Sequence, residues 1–391
     1  MKYNFDEIVN RNNTNSLKWD FKENELPMWV ADMDFKTCPQ VIKAINKKAK
    51  LGVYGYSIIN DDYFKYYRKW FKKRHKVDYK DEWMIYSSGV VACISSCVRK
   101  LSNIGENVLI MSPVYNIFYN SILNNFRKVV SSDLIYKDGV YNIDFDDLEN
   151  KMKDINTHLM ILCNPHNPIG KNWSKEELTK IAKLAKKYNV YVISDEIHCD
   201  INKNKDDFVP FLSTCKEAKE VGITCLAMSK AFNIAGLQSA CIVVPNKETH
   251  YKVWRQINTD ECGEPNFFAI EANIAALKYG SNWLDQLNDY IYQNKVYFYN
   301  EVKKNLPFIK LNLNDATYLM WIDCSSICKD SEDLVKFIKD YSGLILTEGK
   351  EYGDNGKTFI RINLATQKER VVDGTNRFIS SINEYIKINK K

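Results

Sequence analysis

The sequence has no uninterrupted apolar run that approaches the about 20 residues needed to span a membrane. Its first residues, Met1 to Glu7, contain no apolar core of the kind found in secretory signals. It also lacks an arginine-rich arm: 55 basic and 49 acidic residues give a net charge of +6, and the lysines are dispersed along helix-like stretches. We therefore expect a soluble cytoplasmic protein that binds neither membranes nor nucleic acid.

No two of the eleven cysteines form a Cys-x-x-Cys pair. Cys93 and Cys97, like Cys324 and Cys328, are four residues apart, but no histidine lies at zinc-finger spacing from either pair. Cys163 is typical of the others, since it lies in an apolar strand-like run where a reduced thiol acts as a small hydrophobe. We therefore expect a reducing compartment, and neither a metal site nor a disulfide framework.

Internal repeats and low-complexity linkers are absent as well. The composition is that of an ordinary globular protein, with 45% hydrophobic and 27% charged residues, and 391 residues exceed what one hydrophobic core usually supports. The pattern changes near residue 280 from alternating short strands and helices to long helices with separated strands. We expect residues 46–280 to form a large domain and residues 281–391 a smaller α+β domain, which the N-terminal segment 1–45 joins.

The middle of the chain shows the pattern of an α/β fold with a mostly parallel sheet. A continuous apolar run at 158–163 predicts a strand buried on both faces. Ser174 and Glu177 then form a capping box that begins an amphipathic helix, and a second apolar run at 190–194 ends at Asp195. Ligands of such sheets bind at the carboxyl ends of the strands, which is where Asp195 lies.

A lysine, Lys230, directly follows another apolar strand-like run, and burying an ammonium group is costly unless it is used or paired. One interpretation is a lysine that bonds covalently to an aldehyde; the other, equally weighted, is a strand-end lysine that reaches solvent. Asp195 favours the first, because a buried carboxylate can keep a pyridinium nitrogen protonated, although it could also be a helix N-cap. His198, three residues later, would by itself more often be structural.

Three further segments have weaker signals of their own. Gly89 begins a helix-like run, so nearby backbone N–H groups could bind an anion, although Ser-Ser-Gly is usually just a turn. Asn167, in a turn stiffened by Pro165 and Pro168, could donate its amide to a phenolate oxygen. Arg361 is the one arginine of an alternating strand and could grip a carboxylate with two hydrogen bonds, but an internal ion pair is about as plausible.

Together these segments resemble the pyridoxal-phosphate (PLP) enzymes of fold type I, in the aminotransferase class I and II family. Asn167-Pro168-x-Gly170, Ser194-Asp195-Glu196 and Ser229-Lys230 occur in the family's order and spacing. More narrowly, the chain is similar to the cystathionine β-lyase and cystalysin branch, often called the MalY/PatB group. The motifs that carry this likeness, from near residue 16 to near residue 366, are Lys18-Trp19-Asp20, Trp29 to Phe35, Ser194 to His198, Ser229 to Gly236, Trp283-Leu284-Asp285 and Thr317 to Asp323.

The resemblance implies an α/β fold with a seven-stranded, mostly parallel sheet in the large domain, and a role for each candidate residue. Lys230 would hold PLP covalently and then move the substrate's Cα proton. The other implied cofactor contacts are the amides of Gly89, Val90 and Val91 with the phosphate, Tyr115 on the pyridine face as a catalytic residue, Asn167 with the ring hydroxyl, Asp195 with the pyridine nitrogen, and further contacts from His198 and Ser229.

The resemblance also implies a homodimer with shared active sites, because Tyr56 would reach the phosphate of the neighbouring subunit. Arg361 would hold the substrate carboxylate, with Ala31 and Asp32 nearby. Two positions depart from the aminotransferase pattern: Ala227 and Gln238 replace a serine and an arginine that bind phosphate in many aminotransferases.

The implied activity is a carbon–sulfur β-lyase that releases a thiol, pyruvate and ammonia from L-cystathionine, L-cysteine or a related S-substituted cysteine. The missing arginine at Gln238 suits the lyase branch better than a general aminotransferase. Asn116, however, replaces a second tyrosine that is frequent in that branch after Tyr115, so no group is assigned to protonate the leaving thiol. An aminotransferase, or a PLP-containing partner of a transcription activator, are the alternatives.

Overall fold

The computed structural model describes residues 2–20, 22 and 24–389. Its α-helices are α1 (Pro39–Ala49), α2 (Asp61–Arg74), α3 (Val90–Leu101), α4 (Asn116–Leu123), α5 (Phe145–Lys153), α6 (Lys175–Lys187), α7 (Lys216–Val221), α8 (Lys247–Thr259), α9 (Ala269–Tyr279), α10 (Ser281–Asn305), α11 (Ser331–Ser342) and α12 (Lys368–Asn389). In the described part of the chain, no helix is long and apolar enough to cross a membrane.

The strands are short, and most belong to two sheets. They are β1 (Leu26–Pro27), β2 (Met84–Ser87), β3 (Asn107–Ile110), β4 (Lys128–Ser131), β5 (Ile135–Lys137), β6 (Val140–Asn142), β7 (Thr157–Cys163), β8 (Tyr191–Asp195), β9 (Gly222–Leu226), β10 (Ala240–Val243), β11 (Lys310–Leu311), β12 (Leu319–Asp323), β13 (Leu344–Ile345), β14 (Thr347–Glu348) and β15 (Phe359–Asn363).

The larger sheet has seven strands in the order β2-β10-β9-β8-β7-β3-β4. Only β10 runs antiparallel to its neighbours; the pairs from β9 to β4 are parallel. The apolar run at 158–163 lies in β7, and the Ser174–Glu177 capping box begins α6 as predicted. Both predicted strands pair in parallel, so the α/β fold with a mostly parallel seven-stranded sheet is confirmed.

The smaller sheet is antiparallel, in the order β11-β12-β15-β14. Its core brings together residues of α10, α12 and the N-terminal segment, among them Phe298, Phe378 and Leu26. In addition, β1 pairs with β13. Phe5 and Val41 instead pack in a core that includes residues of the large sheet. The N-terminal segment therefore contacts the cores of both the large and the small sheet. The domain boundaries near residues 45 and 280 stay a prediction.

Residues 29–35, which we call the strap, lie between the two sheets without forming a strand themselves. Their carbonyl oxygens are bound by side chains from distant segments: Asn363 donates to Val30 O (2.6 Å) and Asp32 O (2.7 Å), and Asn233 donates to Met33 O (2.9 Å). The strap therefore has a fixed course although it has no regular backbone pairing.

Candidate active site

A cavity opens at the carboxyl ends of the central strands of the large sheet. Since β7, β8 and β9 are parallel, the residues after each of them converge at one edge. Ten of the predicted site residues line this cavity: Ala31, Gly89, Val90, Val91, Tyr115, Asn167, Asp195, His198, Ser229 and Lys230. Segments far apart in the sequence thus form one site.

Lys230 lies in the loop after β9, and its Nζ donates to the carbonyl oxygen of Ala31 in the strap at 2.7 Å. Burial lowers the pKa of Lys230 to about 8, with Asp32 and Asp195 opposing and Arg361 adding to the effect. The ammonium form still predominates at neutral pH, but the neutral amine is far more populated than in an exposed lysine. That form is the one able to attack an aldehyde or accept a proton.

Asp195 is the last residue of β8, and only 4% of it is exposed. Its Oδ1 accepts a hydrogen bond from the backbone N–H of Ile197 at 3.1 Å, and burial raises its pKa to about 6. Ionisation of this carboxyl would become more favourable if a positively charged donor entered the cavity. Asp195 is thus suited to a protonated ring nitrogen.

His198 faces the same cavity, with its ring 5.6 Å from the ring of Tyr318. Burial, and then the charges of Lys230 and Arg361, lower its pKa to about 3, so the imidazole is neutral at physiological pH. Its Nδ1 is buried and has no hydrogen-bond partner among the described residues. A neutral imidazole with an unsatisfied nitrogen is suited to contact a bound polar group.

The N-terminus of α3 opens into the cavity. Gly89 immediately precedes α3 with φ of 145°, in the region that favours glycine. No side chain caps this helix, and the first-turn N–H groups of Val90 and Val91 lack intrahelical partners by geometry. Backbone donors at a helix N-terminus, assisted by the macrodipole, are suited to a phosphate.

Arg361 lies in β15, beside the cavity, and is 5% exposed. Its Nη1 donates to Asn167 Oδ1 at 3.3 Å and its Nη2 to Trp29 O at 2.8 Å, while the ring of Tyr352 lies 5.0 Å away. No carboxylate within the described residues is in ion-pair distance of Arg361, and its Nε is buried without a hydrogen-bond partner there. An internal ion pair was one of the two interpretations of Arg361 from the sequence. Arg361 forms no such pair with any described residue.

Besides Arg361, two other predicted residues do not line the cavity. The carboxylate of Asp32 pairs with Arg11 (2.7 Å) and Lys18 (3.5 Å) next to the strap. It therefore acts on Lys230 through its charge in this structure. Tyr56 is 98% exposed on the surface of the chain, so it does not contribute to this chain's own cavity.

Sequence reasoning assigned no role to several residues that form the site. Gln238 and Ser239 line the cavity near the start of α3, and Ala235 and Cys163 complete its wall. Gln238 had been noted only as a replacement for arginine. The hydroxyl of Tyr318 donates to Ala31 O at 2.8 Å. Tyr318 belongs to the motif from Thr317 to Asp323, for which the family likeness implied no role. A buried tyrosine gives no local signal of such a contact.

A second group of possible metal ligands, His75, Cys199 and Asp200, is buried away from this cavity. The carboxylate of Asp200 already accepts hydrogen bonds from Trp70 Nε1 (2.9 Å), Arg74 Nε (3.2 Å) and His75 Nε2 (2.9 Å). An arginine at this distance disfavours a further cation, so we interpret the group as a structural network.

Comparison with known proteins relates this arrangement to one enzyme family. The family model for aminotransferase class I and II matches residues 23–376. Cystathionine beta-lyase PatB of Bacillus subtilis is 36% identical to this chain over 386 residues, which cover 97% of the chain and 100% of the relative. Two solved structures are 33% identical: cystalysin of Treponema denticola, which contains PLP (TM-score 0.94; 98% and 100% of the two chains covered), and the PLP-bound C-S lyase of Staphylococcus hominis (TM-score 0.90; 98% of both chains covered).

Proposed function

The chain belongs to the aminotransferase class I and II family, and we propose that it is a PLP-dependent carbon–sulfur β-lyase. Its substrates are L-cystathionine, L-cysteine or related S-substituted cysteines, which it converts with water to a thiol, pyruvate and ammonia. The observation that carries the proposal is the placement of Lys230 and Asp195 in one cavity, in a chain that is similar over its whole length to C–S lyases.

The cavity fits PLP on four features of the chain itself. The helix end at Gly89 matches a phosphate, and the buried carboxyl of Asp195 matches a protonated ring nitrogen. The lowered pKa of Lys230 makes the neutral amine needed for a covalent bond to an aldehyde accessible near neutral pH. Because Asn167 Oδ1 accepts from Arg361, its amide NH₂ group is left to donate to the ring hydroxyl. The cavity therefore offers a partner for each polar part of the cofactor.

The remaining cofactor contacts are assigned by position. Tyr115 lies in the cavity wall and would stack on the pyridine face, while Ser229 and His198 would border the ring from the neighbouring loops. Val90 and Val91 would add their backbone N–H groups to that of Gly89 at the phosphate. The family likeness implies these roles, and the position of these residues around the cavity supports them.

Bound PLP supplies an electron sink that stabilises negative charge at the substrate's Cα. Lys230 would accept the Cα proton in its neutral amine form, and its lowered pKa makes that form more accessible near neutral pH. Arg361 would fix the substrate carboxylate with its fork of donors, and Ala31 would border the substrate from the strap, whereas Asp32 would act through its charge. The thiol then leaves from Cβ, and water completes the conversion to pyruvate and ammonia.

We further propose that the protein is a homodimer with shared active sites, located in the cytoplasm. The support for the dimer is a run of exposed apolar residues around Tyr56, which includes Leu51, Val53, Tyr54 and Ile58. In a single chain this surface is exposed to water. A second copy would cover it and bring Tyr56 close to the cofactor phosphate bound by that second copy. Nine of the eleven cysteines are buried, as expected for thiols used in packing in a reducing compartment.

The deciding experiment measures pyruvate released from L-cystathionine and from L-cysteine by the PLP-loaded protein, with no keto acid present. A β-lyase releases pyruvate and a thiol in equal amounts under these conditions. An aminotransferase, the second candidate, would stop after one turnover without an amino-group acceptor. Activity that depends on added keto acid would therefore reject the lyase assignment in favour of transamination.

A further inference from the structure

The carbonyl oxygen of Ala31 accepts two hydrogen bonds inside the molecule. One comes from Lys230 Nζ at 2.7 Å, and the other from the hydroxyl of Tyr318 at 2.8 Å. A carbonyl oxygen has two lone pairs, so both donors can be bound at once. Tyr318 is fully buried and does not line the cofactor cavity. Its hydroxyl is therefore connected to Lys230 through this shared oxygen.

Both ends of this contact are held firmly. Asn363 binds the carbonyls of Val30 and Asp32, on either side of Ala31, at 2.6 and 2.7 Å. On the other side, the backbone N–H of Leu364 donates to Tyr318 O at 2.9 Å. The shared oxygen is therefore a fixed point against which the lysine side chain is placed.

The loop that leads to Tyr318 is fixed by the buried side chain of Lys295. Lys295 of α10 donates to the carbonyls of Ala316 and Thr317 at 3.2 Å each, and also to the carbonyl of Asn314. These carbonyls occupy the donors of the Lys295 amine, whose pKa burial lowers to about 7. The contacts hold the residues immediately before Tyr318 in place.

We propose that Tyr318 is a positioning residue for Lys230, and that its hydroxyl, by sharing the Ala31 oxygen, places the lysine amine and favours the neutral form of that amine. A carbonyl oxygen that already accepts one hydrogen bond forms a weaker bond with a second donor. This weakening costs an ammonium donor more than a neutral amine, because the charge-assisted bond is the stronger one. This inference rests on the proposed function, since it takes Lys230 as the residue that bonds PLP.

The other groups around Lys230 are accounted for separately. The carboxylates of Asp32 and Asp195 favour its ammonium form, whereas Arg361 opposes it, and His198 is neutral. Replacing Tyr318 by phenylalanine removes none of these charges and keeps the ring against His198. The change should therefore raise the pKa of Lys230 and move lysine-dependent steps to higher pH.

The test uses the full-length protein depleted of PLP, to which PLP is added over a series of neutral to alkaline pH values. The measurement is the rate at which the visible absorption of the lysine-bound cofactor develops. We expect the pH midpoint of this rate to lie about 0.5 unit higher in Tyr318→Phe than in the wild type, as for partial loss of one hydrogen bond. In the loaded enzyme, the pH profile of kcat should move in the same direction, with KM changed less than about twofold.

Tyr136→Phe is the matched control, because it also removes one hydroxyl donor, to Asp323 at 2.9 Å, without touching Ala31 or Lys230. It should leave the midpoint unchanged. An unshifted midpoint in Tyr318→Phe, with or without lower thermal stability, would reduce the role of Tyr318 to packing and overturn the inference. If the wild type itself captures no PLP, the proposed function fails, and this inference fails with it.

Discussion

At the scale of single residues, burial decides the charge states on which the chemistry depends. The pKa of Lys230 is lowered to about 8 and that of Asp195 raised to about 6, in both cases chiefly because the charged form loses solvation. His198 is held neutral by the same effect. The site thus combines a lysine amine and a carboxyl that are both poised near physiological pH.

Replacing Lys230 by alanine should abolish the visible absorption of the bound cofactor. The reason is that, among the described residues, no other lysine lines the cavity. The measurement is the absorption spectrum, with mass spectrometry after borohydride reduction to locate the attached cofactor. Lys187→Ala, which removes an exposed lysine paired with Glu149, is the control and should keep the spectrum. A cofactor attached elsewhere in the wild type would contradict the assignment.

Replacing Arg361 by alanine should weaken substrate use and leave cofactor binding nearly unchanged. Loss of a charge-assisted pair in a shielded site costs about 2–5 kcal/mol, which corresponds to roughly 30-fold to several-thousand-fold in kcat/KM. Arg361→Lys should recover only part of this loss, because an ammonium is a point charge without a fork of donors. The measurements are kcat/KM and the visible spectrum of each variant.

Two results would contradict this role of Arg361. Near-normal kcat/KM in Arg361→Ala would mean that the carboxylate is held elsewhere. Loss of the spectrum would mean that Arg361 supports the cofactor cavity through its contact with Asn167.

At the scale of elements, the site depends on where strands end and helices begin. β7 and β8 end at Cys163 and Asp195, and the helix α6 that joins them begins at the Ser174 capping box. Ser174 Oγ accepts from the Glu177 N–H at 3.1 Å, and the Glu177 carboxylate accepts from the Ser174 N–H at 2.7 Å. This local device fixes the start of the crossover helix.

Replacing Ser174 by alanine should lower the free energy of unfolding by about 1 kcal/mol, because the first turn of α6 loses its side-chain acceptor. Equilibrium denaturation of the loaded protein would measure the change. Ser380→Ala is a matched control, since that exposed hydroxyl lies within α12 and donates only to Arg377 O. Equal stabilities of the two variants would show that the capping box contributes nothing measurable. Activity at moderate temperature should be unaffected in both.

At the scale of the whole molecule, the exposed apolar run around Tyr56 supports the proposed homodimer. The side chain of Tyr56 is 98% exposed, which is unusual for a tyrosine predicted to bind a phosphate. The proposed homodimer would explain this exposure, because the phosphate that Tyr56 contacts would belong to the neighbouring subunit.

Mixing inactive Tyr56→Phe and Lys230→Ala homodimers, and letting subunits exchange, should restore activity. In a mixed dimer one site combines an intact Lys230 with an intact Tyr56 from the other subunit. Random exchange should therefore give about one quarter of wild-type activity. The design requires Tyr56→Phe to be strongly impaired by itself, which is measured first. Mass spectrometry would verify that subunits have exchanged. If activity still does not recover, Tyr56 lies outside the neighbour's site.

The sequence by itself determined the α/β fold, the strand ends at Cys163 and Asp195, and the cap at Ser174. These features depend on neighbours within a few residues, so apolar runs and short motifs record them directly. The family likeness added candidate roles for Lys230 and Arg361 that no single segment supported strongly.

Tertiary structure alone decided how those residues are held. Arg361 donates a hydrogen bond to Asn167, which is 194 residues away in the sequence. Lys230 donates to the carbonyl of Ala31, which is 199 residues away. Tyr318 shares that carbonyl from 287 residues away. Contacts from side chains to distant carbonyls have no periodicity and need no particular neighbour in the sequence, because any residue supplies a carbonyl oxygen. The pKa values likewise depend on burial by the assembled fold, which no local pattern encodes.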